Sequence, residues 1–386
     1  MNMKWFHLSL DTSVPGPVWA SIFWQSRHVL HKATDLVPLS MPVEMADGRT
    51  RSRFSLRSRR ARRLAGRDAR RVVEESLDPG RDNVLEVHGI STAMVRGGSL
   101  LEPIWDRFSR RVLTIVDTIE PEHIPSSHIR RFDLVRCFCP ALARRWRRRT
   151  DVPVLFQPTG IDALDFLHRG DRRPIDMIVV GRRDPEFHEA VRRHYLNPET
   201  GRLLLDFGTR PQGPRPPEDE WRLLMATYAR SKIAFCFEPS ANLRFRGRSS
   251  MTHRWPQAWA AGCTVVGRRP TEPELAPYLD WPESTLEIPD DRTEWIPYLE
   301  SVLDDEEGLS RRRHRNTLEV LRRHDGRLRL RKMLEALDLD IPKRLRGELQ
   351  RLEAAIVEFE QAQGLTPLTT DWEEPASLVH PCTANG

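Results

Sequence analysis

The chain has 386 residues, 39% of them hydrophobic, with 61 Lys and Arg against 55 Asp and Glu for a net charge of +6. This apolar content fills real cores, which excludes wholesale disorder, and no run approaches the roughly 18 apolar residues of a membrane span. The N-terminus MNMKWFHLSL lacks a secretory pattern, and Cys137, Cys139, Cys236, Cys263 and Cys382 match no zinc spacing, so free thiols in a reducing cytoplasm are expected.

Only five basic residues are lysine: Lys4, Lys32, Lys232, Lys332 and Lys343. Acidic residues interleave with the arginines, so the charge supports no more than a modest preference for anionic ligands.

Trp5–Leu10 reads as a first strand, followed by a tight loop at Asp11–Pro17. Val18–Lys32 reads as a helix with Trp19, Ile22, Phe23 and Val29 on one stripe, and Asp35–Leu39 as a second strand. Arg51–Glu75 is dominated by arginine and helical from about Leu56. A solvated basic helix is its plain reading; contact with nucleic acid is the sharper one.

Asn83–Val87, Arg111–Val116, Phe132–Cys137 and Val152–Gln157 read as further strands, with helices at Leu100–Phe108 and from Pro140. The pattern then restarts. Asp176–Val180 and Leu203–Phe207 are strands, and Phe187–Tyr195 and Glu218–Arg230 are helices. Ile233–Phe237 and Cys263–Val266 are buried strands, and Ser284–Ile288 is a last one. Helices follow at about Glu294–Leu303 and Glu306–His324. Short apolar runs alternating with helices predict parallel sheets, here two α/β doubly wound Rossmann-like domains in tandem. The expected bounds are 1–160 for the first domain and 161–341 for the second. An amphipathic helix over 342–364 would pack back on the first domain or pair two copies of the chain, and 365–386 is a tail.

Between Phe237 and Cys263 lies an arginine-rich loop and then a helix expected to start at Ser249, Ser250 or Thr252 and to end before Gly262. A helix N-terminus at the carboxyl end of a parallel strand favours anions through free N–H groups and the helix dipole. Arg248 and Arg254 flank that point and offer bidentate contacts.

Four segments resemble one family. Val154–Asp162 (VLFQPTGID) looks like an interdomain "lP.GvD" segment, and Ile178–Arg182 (IVVGR) like the "fvGr" that opens a donor domain. Tyr228–Ala234 (YARSKIA) looks like "y..skialn", and Thr252–Val266 (THRWPQAWAAGCTVV) like "t.R.fEalAaGt.vv". On these motifs the chain resembles GT-B glycosyltransferases of the CgeB-like, glycosyl-transferase-group-1-like bacterial group. Two positions depart from the pattern: Gln257 stands where the family has the Glu that holds the nucleotide ribose, and Ser249 where an acidic residue is common.

The resemblance implies two lobes facing a cleft and sugar transfer, with UDP-glucose the leading donor. Expected donor residues are Gly181, Arg182, Glu238, Arg248, Ser249, Ser250, Met251, Thr252, Arg254 and Gln257. No Asp-x-Asp pair stands out, so neither metal nor cofactor is expected. Inversion would need a base from the first domain, and Asp11, His88 and Asp117 sit at strand ends there. In the resemblance the Asp117 position touches the donor sugar. Trp19 and Phe23 suggest a wall for a flat acceptor such as a nucleoside. The competing readings are a nucleic-acid-binding protein using Arg51–Arg71 and a silent GT-B-like scaffold.

Overall fold

The computed structural model describes residues 3–13, 20–41, 56–167, 170, 172–207, 215–363 and 379–380. Trp19 and residues 14–17 of the tight loop before it lie outside them.

The first sheet contains β1 (Met3–Leu10), β2 (Asp35–Met41), β3 (Asp82–Gly89), β4 (Arg110–Ile115), β5 (Leu134–Cys137) and β6 (Val154–Phe156). These six run parallel in the order β6-β5-β4-β3-β1-β2. The second sheet contains β7 (Ile175–Val179), β8 (Leu204–Asp206), β9 (Ser231–Phe237), β10 (Thr264–Arg268) and β11 (Leu286–Glu287), parallel in the order β11-β10-β9-β7-β8. The expected α/β class with two doubly wound sheets is therefore observed. The 365–386 segment is not a plain tail: β12 (Val379–His380) pairs antiparallel with Val154 and Leu155 at the edge of the first sheet.

Helices on both faces bury most of each central strand, which is why these strands read as apolar runs rather than alternating ones. The exception is one face of the first sheet. There the register aligns His7 with Glu86, His88 with Thr114, and Thr114 with Arg136, a polar row inside a parallel sheet.

Three helical expectations need correction. Leu100–Phe108 is part of a 3-10 run, Arg96–Arg107, broken near Ile104 because Pro103 cannot donate. A helix missing from the sequence reading spans Gly326–Ala336 and is capped by Asp325. The helix of the arginine-rich loop starts at Arg254, not at the serines, and ends at Ala260. Pro256 sets that start, since a proline fits only the first turn, where its missing N–H has no partner to lose.

The helix Lys343–Gln363 buries Leu345, Leu349, Leu352 and Phe359 within the chain, and Arg344 Nη1 donates to Thr34 O at 2.7 Å. Its apolar stripe is consumed internally, so a homodimer through that stripe loses its surface. The basic helix Leu56–Ser76 sets Ala69 and Val73 against the first sheet's core. No helix among the described residues is long and apolar enough to cross a membrane.

The connector between the sheets is held by charge. Arg327 Nη1 lies 2.9 Å from Asp162 Oδ1 and 3.0 Å from Asp325 Oδ2, all three fully buried, and Arg327 Nε donates to Glu348 at 2.8 Å. Lys32, on the helix Ser21–Ala33 of the first lobe, reaches Asp162 at 2.8 Å. Removing one partner of such a buried set leaves an uncompensated charge.

Candidate active site

The corner expected to take the donor is built on Gly181, two residues after the last residue of β7. Its φ of +68° is a left-handed conformation, and a Cβ there would lie 2.8 Å from Arg254 Nη2. Glycine is needed on both counts. The Arg254 guanidinium thus reaches over the strand end, where its Nη1 donates to Arg182 O at 3.0 Å. The Arg182 guanidinium lies over the Phe245 ring at 4.3 Å. Burial, and then the charge of Arg254, push the Arg182 pKa down to about 10, and burial likewise lowers that of Arg254. Neither guanidinium meets a carboxylate among the described residues. Two half-buried like charges without a counter-ion are costly, and an anion between them removes that cost.

The other expected donor residues behave differently. Arg248 Nη1 sits 2.5 Å from Glu120 Oε1, an ion pair that joins the two lobes, so this arginine is already neutralised. Ser249 Oγ accepts from Thr271 N at 2.9 Å and Ser250 Oγ donates to Phe138 O at 3.4 Å. Met251 is buried in the core. These residues precede the helix Arg254–Ala260 instead of forming its first turn. Thr252 keeps a buried hydroxyl with no partner. Glu238 turns back to accept from Ser240 N at 2.9 Å, closing the turn after β9. Gln257 is buried on the helix Arg254–Ala260.

The first lobe faces this region through β3, β4 and β5. His7 Nε2 lies 3.1 Å from His88 Nδ1, and Arg27 Nε points at His7 Nδ1 from 3.4 Å. Glu86 accepts from Thr114 Oγ1 at 2.6 Å and from Trp5 Nε1 at 3.2 Å, with Arg136 Nη1 at 3.6 Å. His88 Nε2 is buried with no partner. Burial and neighbouring cations hold His7 and His88 well below the usual imidazole range, so both are neutral. Across the lobe boundary His253 has two unpartnered ring nitrogens, and burial pushes its pKa down to about 3. A cavity of about 40 Å³ lies between the lobes, lined by Glu86, Arg136, Phe138, Thr159, His253 and Arg329.

Two sets of side chains have the spacing of metal ligands: His7, Glu86 and His88; and His28, Asp162 and Asp165. Each is already tied to a cation, Arg136 in the first set and Lys32 in the second.

Of the expected bases, Asp11 Oδ1 accepts from Ser13 N and Oγ at 2.9 and 2.7 Å, and Asp117 Oδ1 accepts from Thr118 N at 2.7 Å. Both carboxylates shape the loop that follows them. Phe23 is fully buried and sets its ring against His88 at 5.0 Å, so it belongs to the core and not to an open acceptor wall.

No family model and no curated protein matches the chain. Solved structures do. The chain is similar to a UDP-forming α,α-trehalose-phosphate synthase from Burkholderia xenovorans, with a TM-score of 0.53 at 13% identity over 88% of this chain and 99% of that one. It is similar to an α-glucosyltransferase in complex with UDP, with a TM-score of 0.53 at 11% identity over 87% and 100%. An α-glucosyltransferase bound to UDP and a 13-mer DNA gives 0.52 at 9% identity over 88% and 100%. The chain has the GT-B fold. At these identities the likeness is one of fold, and the narrower CgeB-like resemblance finds no matching family model.

Within the GT-B frame, Gly181, Arg182 and Arg254 stand at the strand ends of the second lobe, and the His7–His88 row crosses the first. His7, Glu86, Arg136 and His253 were not singled out from sequence. Lone histidines and a glutamate inside apolar runs carry no local signal of a shared site.

Proposed function

We propose that the protein is a glycosyltransferase that moves a sugar from a nucleotide-diphosphate donor to a hydroxyl of a small-molecule acceptor. The observation that carries this is the half-buried Arg182–Arg254 pair beside Gly181, two cations without a carboxylate among the described residues at the strand ends of a GT-B second lobe. The solved relatives in complex with UDP, and the one described as UDP-forming, support the same reading.

Breaking the bond between the anomeric carbon and the donor phosphate leaves growing negative charge on the diphosphate. Two guanidinium groups aimed at the diphosphate would stabilise that charge without a metal ion. UDP-glucose is the first donor to test. For inversion the acceptor proton would go to a first-lobe group, and Asp11 and Asp117 are the carboxylates to test by substitution, although each accepts from the loop that follows it. With Phe23 in the core, an aromatic acceptor loses its described support, and the acceptor screen is best run over nucleosides, flavonoids and simple sugars together.

The test is turnover. UDP release from UDP-glucose should rise when the right acceptor is added, with a glycosylated product of matching mass. No product with UDP-, TDP- or GDP-sugars across the acceptor panel would overturn the proposal.

A further inference from the structure

We propose that Arg27 and His7 are positioning residues that lock His88 into a single tautomer, with its proton on Nε2, so that it offers the substrate a hydrogen-bond donor and no basic lone pair at that nitrogen. For its substrate this rests on the transferase reading above.

The argument is a chain of donors. A guanidinium has only N–H groups to give, so Arg27 Nε, 3.4 Å from His7 Nδ1, faces a bare nitrogen. Arg27 is itself fixed by donating from Nη2 to Leu39 O at 2.7 Å. Neutral His7 therefore carries its proton on Nε2. That nitrogen is 3.1 Å from His88 Nδ1, which must accept. Neutral His88 then carries its proton on Nε2. The reverse order would set the His7 Nδ1 proton against the Arg27 N–H, two donors face to face.

Glu86 does not compete for the His7 proton. Its Oε2 is 3.9 Å from His7 Nε2 and accepts from Trp5, while its Oε1 accepts from Thr114. Phe23 presses on the His88 ring from the helix Ser21–Ala33 and holds its orientation. The result is a buried N–H with no acceptor among the described residues. Leaving such a donor unpaired is costly, and a substrate oxygen reaching Nε2 would remove that cost. His88 was expected to act as a base; in this tautomer it donates.

The test is nitrogen NMR on the whole protein with 15N-labelled histidine. Long-range proton–nitrogen correlations should show His88 with a bare Nδ1 and a protonated Nε2, and His7 in the same form. Arg27→Met keeps much of the stem and removes the donor; it should leave both rings as tautomer mixtures, and Arg27→Lys should restore the single form. Adding UDP-glucose should then shift the His88 Nε2 proton, while UDP alone should leave it in place. A protonated Nδ1 on His88 in the wild type, or unchanged spectra in Arg27→Met, would overturn the lock. If UDP-glucose binds by calorimetry without moving the Nε2 proton, the substrate contact is wrong. If neither UDP nor UDP-glucose binds, the transferase reading fails and the substrate contact with it, while the free-protein spectra still decide the lock.

Discussion

Arg254 donates to the backbone carbonyl of Arg182 across 3.0 Å, and this contact sets one half-buried cation on the main chain of another. The charge of Arg254 lowers the pKa of Arg182, which is a poor arrangement for stability and one suited to the proposed diphosphate. Arg182→Leu should therefore leave the melting temperature of the free protein unchanged or raised, while UDP affinity falls roughly 10- to 100-fold, the range of one or two charge-assisted hydrogen bonds. Differential scanning fluorimetry with and without UDP separates the two effects. A variant that melts lower yet binds UDP as before would mark Arg182 as structural.

Gly181 tests the same corner from the backbone side. Ala at φ +68° would be strained and would press on Arg254 Nη2. Gly181→Ala should cost about 1–2 kcal/mol in urea unfolding and weaken UDP in parallel.

The Arg248–Glu120 pair joins the lobes and is distinct from the donor grip. Arg248→Met should destabilise by only about 1 kcal/mol, because Arg145 at 3.3 Å and Arg246 at 3.7 Å still neutralise Glu120, and the double variant with Glu120→Gln should recover part of the loss. UDP affinity measured below the melting point should change less than threefold. A loss as large as that of Arg182→Leu would return Arg248 to the donor site.

Acid should unfold the chain early. Burial holds His7, His88 and His324 well below 6.5, His253 at about 3 and His188 at about 4. Their folded pKa values lie below the unfolded one, so the unfolded state takes up protons first as pH falls. Stability is full above pH 6.5 and declines from there toward pH 4, with each group contributing roughly 1–2 kcal/mol of the loss at pH 5. His188→Gln should flatten the melting temperature against pH over that window; a wild-type curve that is flat from pH 7 to pH 5 would contradict this.

The fold was legible because each central strand is a short apolar run bounded by turn residues, as at Ile233–Phe237 before Glu238-Pro239. Gly181, Arg182 and Arg254 were legible as candidates, but their contact was not, since it joins residues 72 positions apart through the fold. The misplaced helix start had a readable cause in Pro256, which outranks the capping potential of Ser249 and Ser250. The helix Gly326–Ala336 was hidden because Asp325-Gly326 reads as a turn and Arg327 and Arg329 read as surface, although both are buried. Their partners, such as Asp162 and Pro158 O, are more than 160 residues away. Such pairing has no signature in a local window.

The most direct measurement is a calorimetric titration of the wild type and of Arg182→Leu with UDP, UMP and uridine at neutral pH. The account predicts that wild type binds UDP far more tightly than UMP, and that the variant loses most of that advantage while its weak binding of UMP and uridine persists. Equal affinity for all three ligands, or no heat with UDP at millimolar concentration, would contradict a diphosphate held between two arginines.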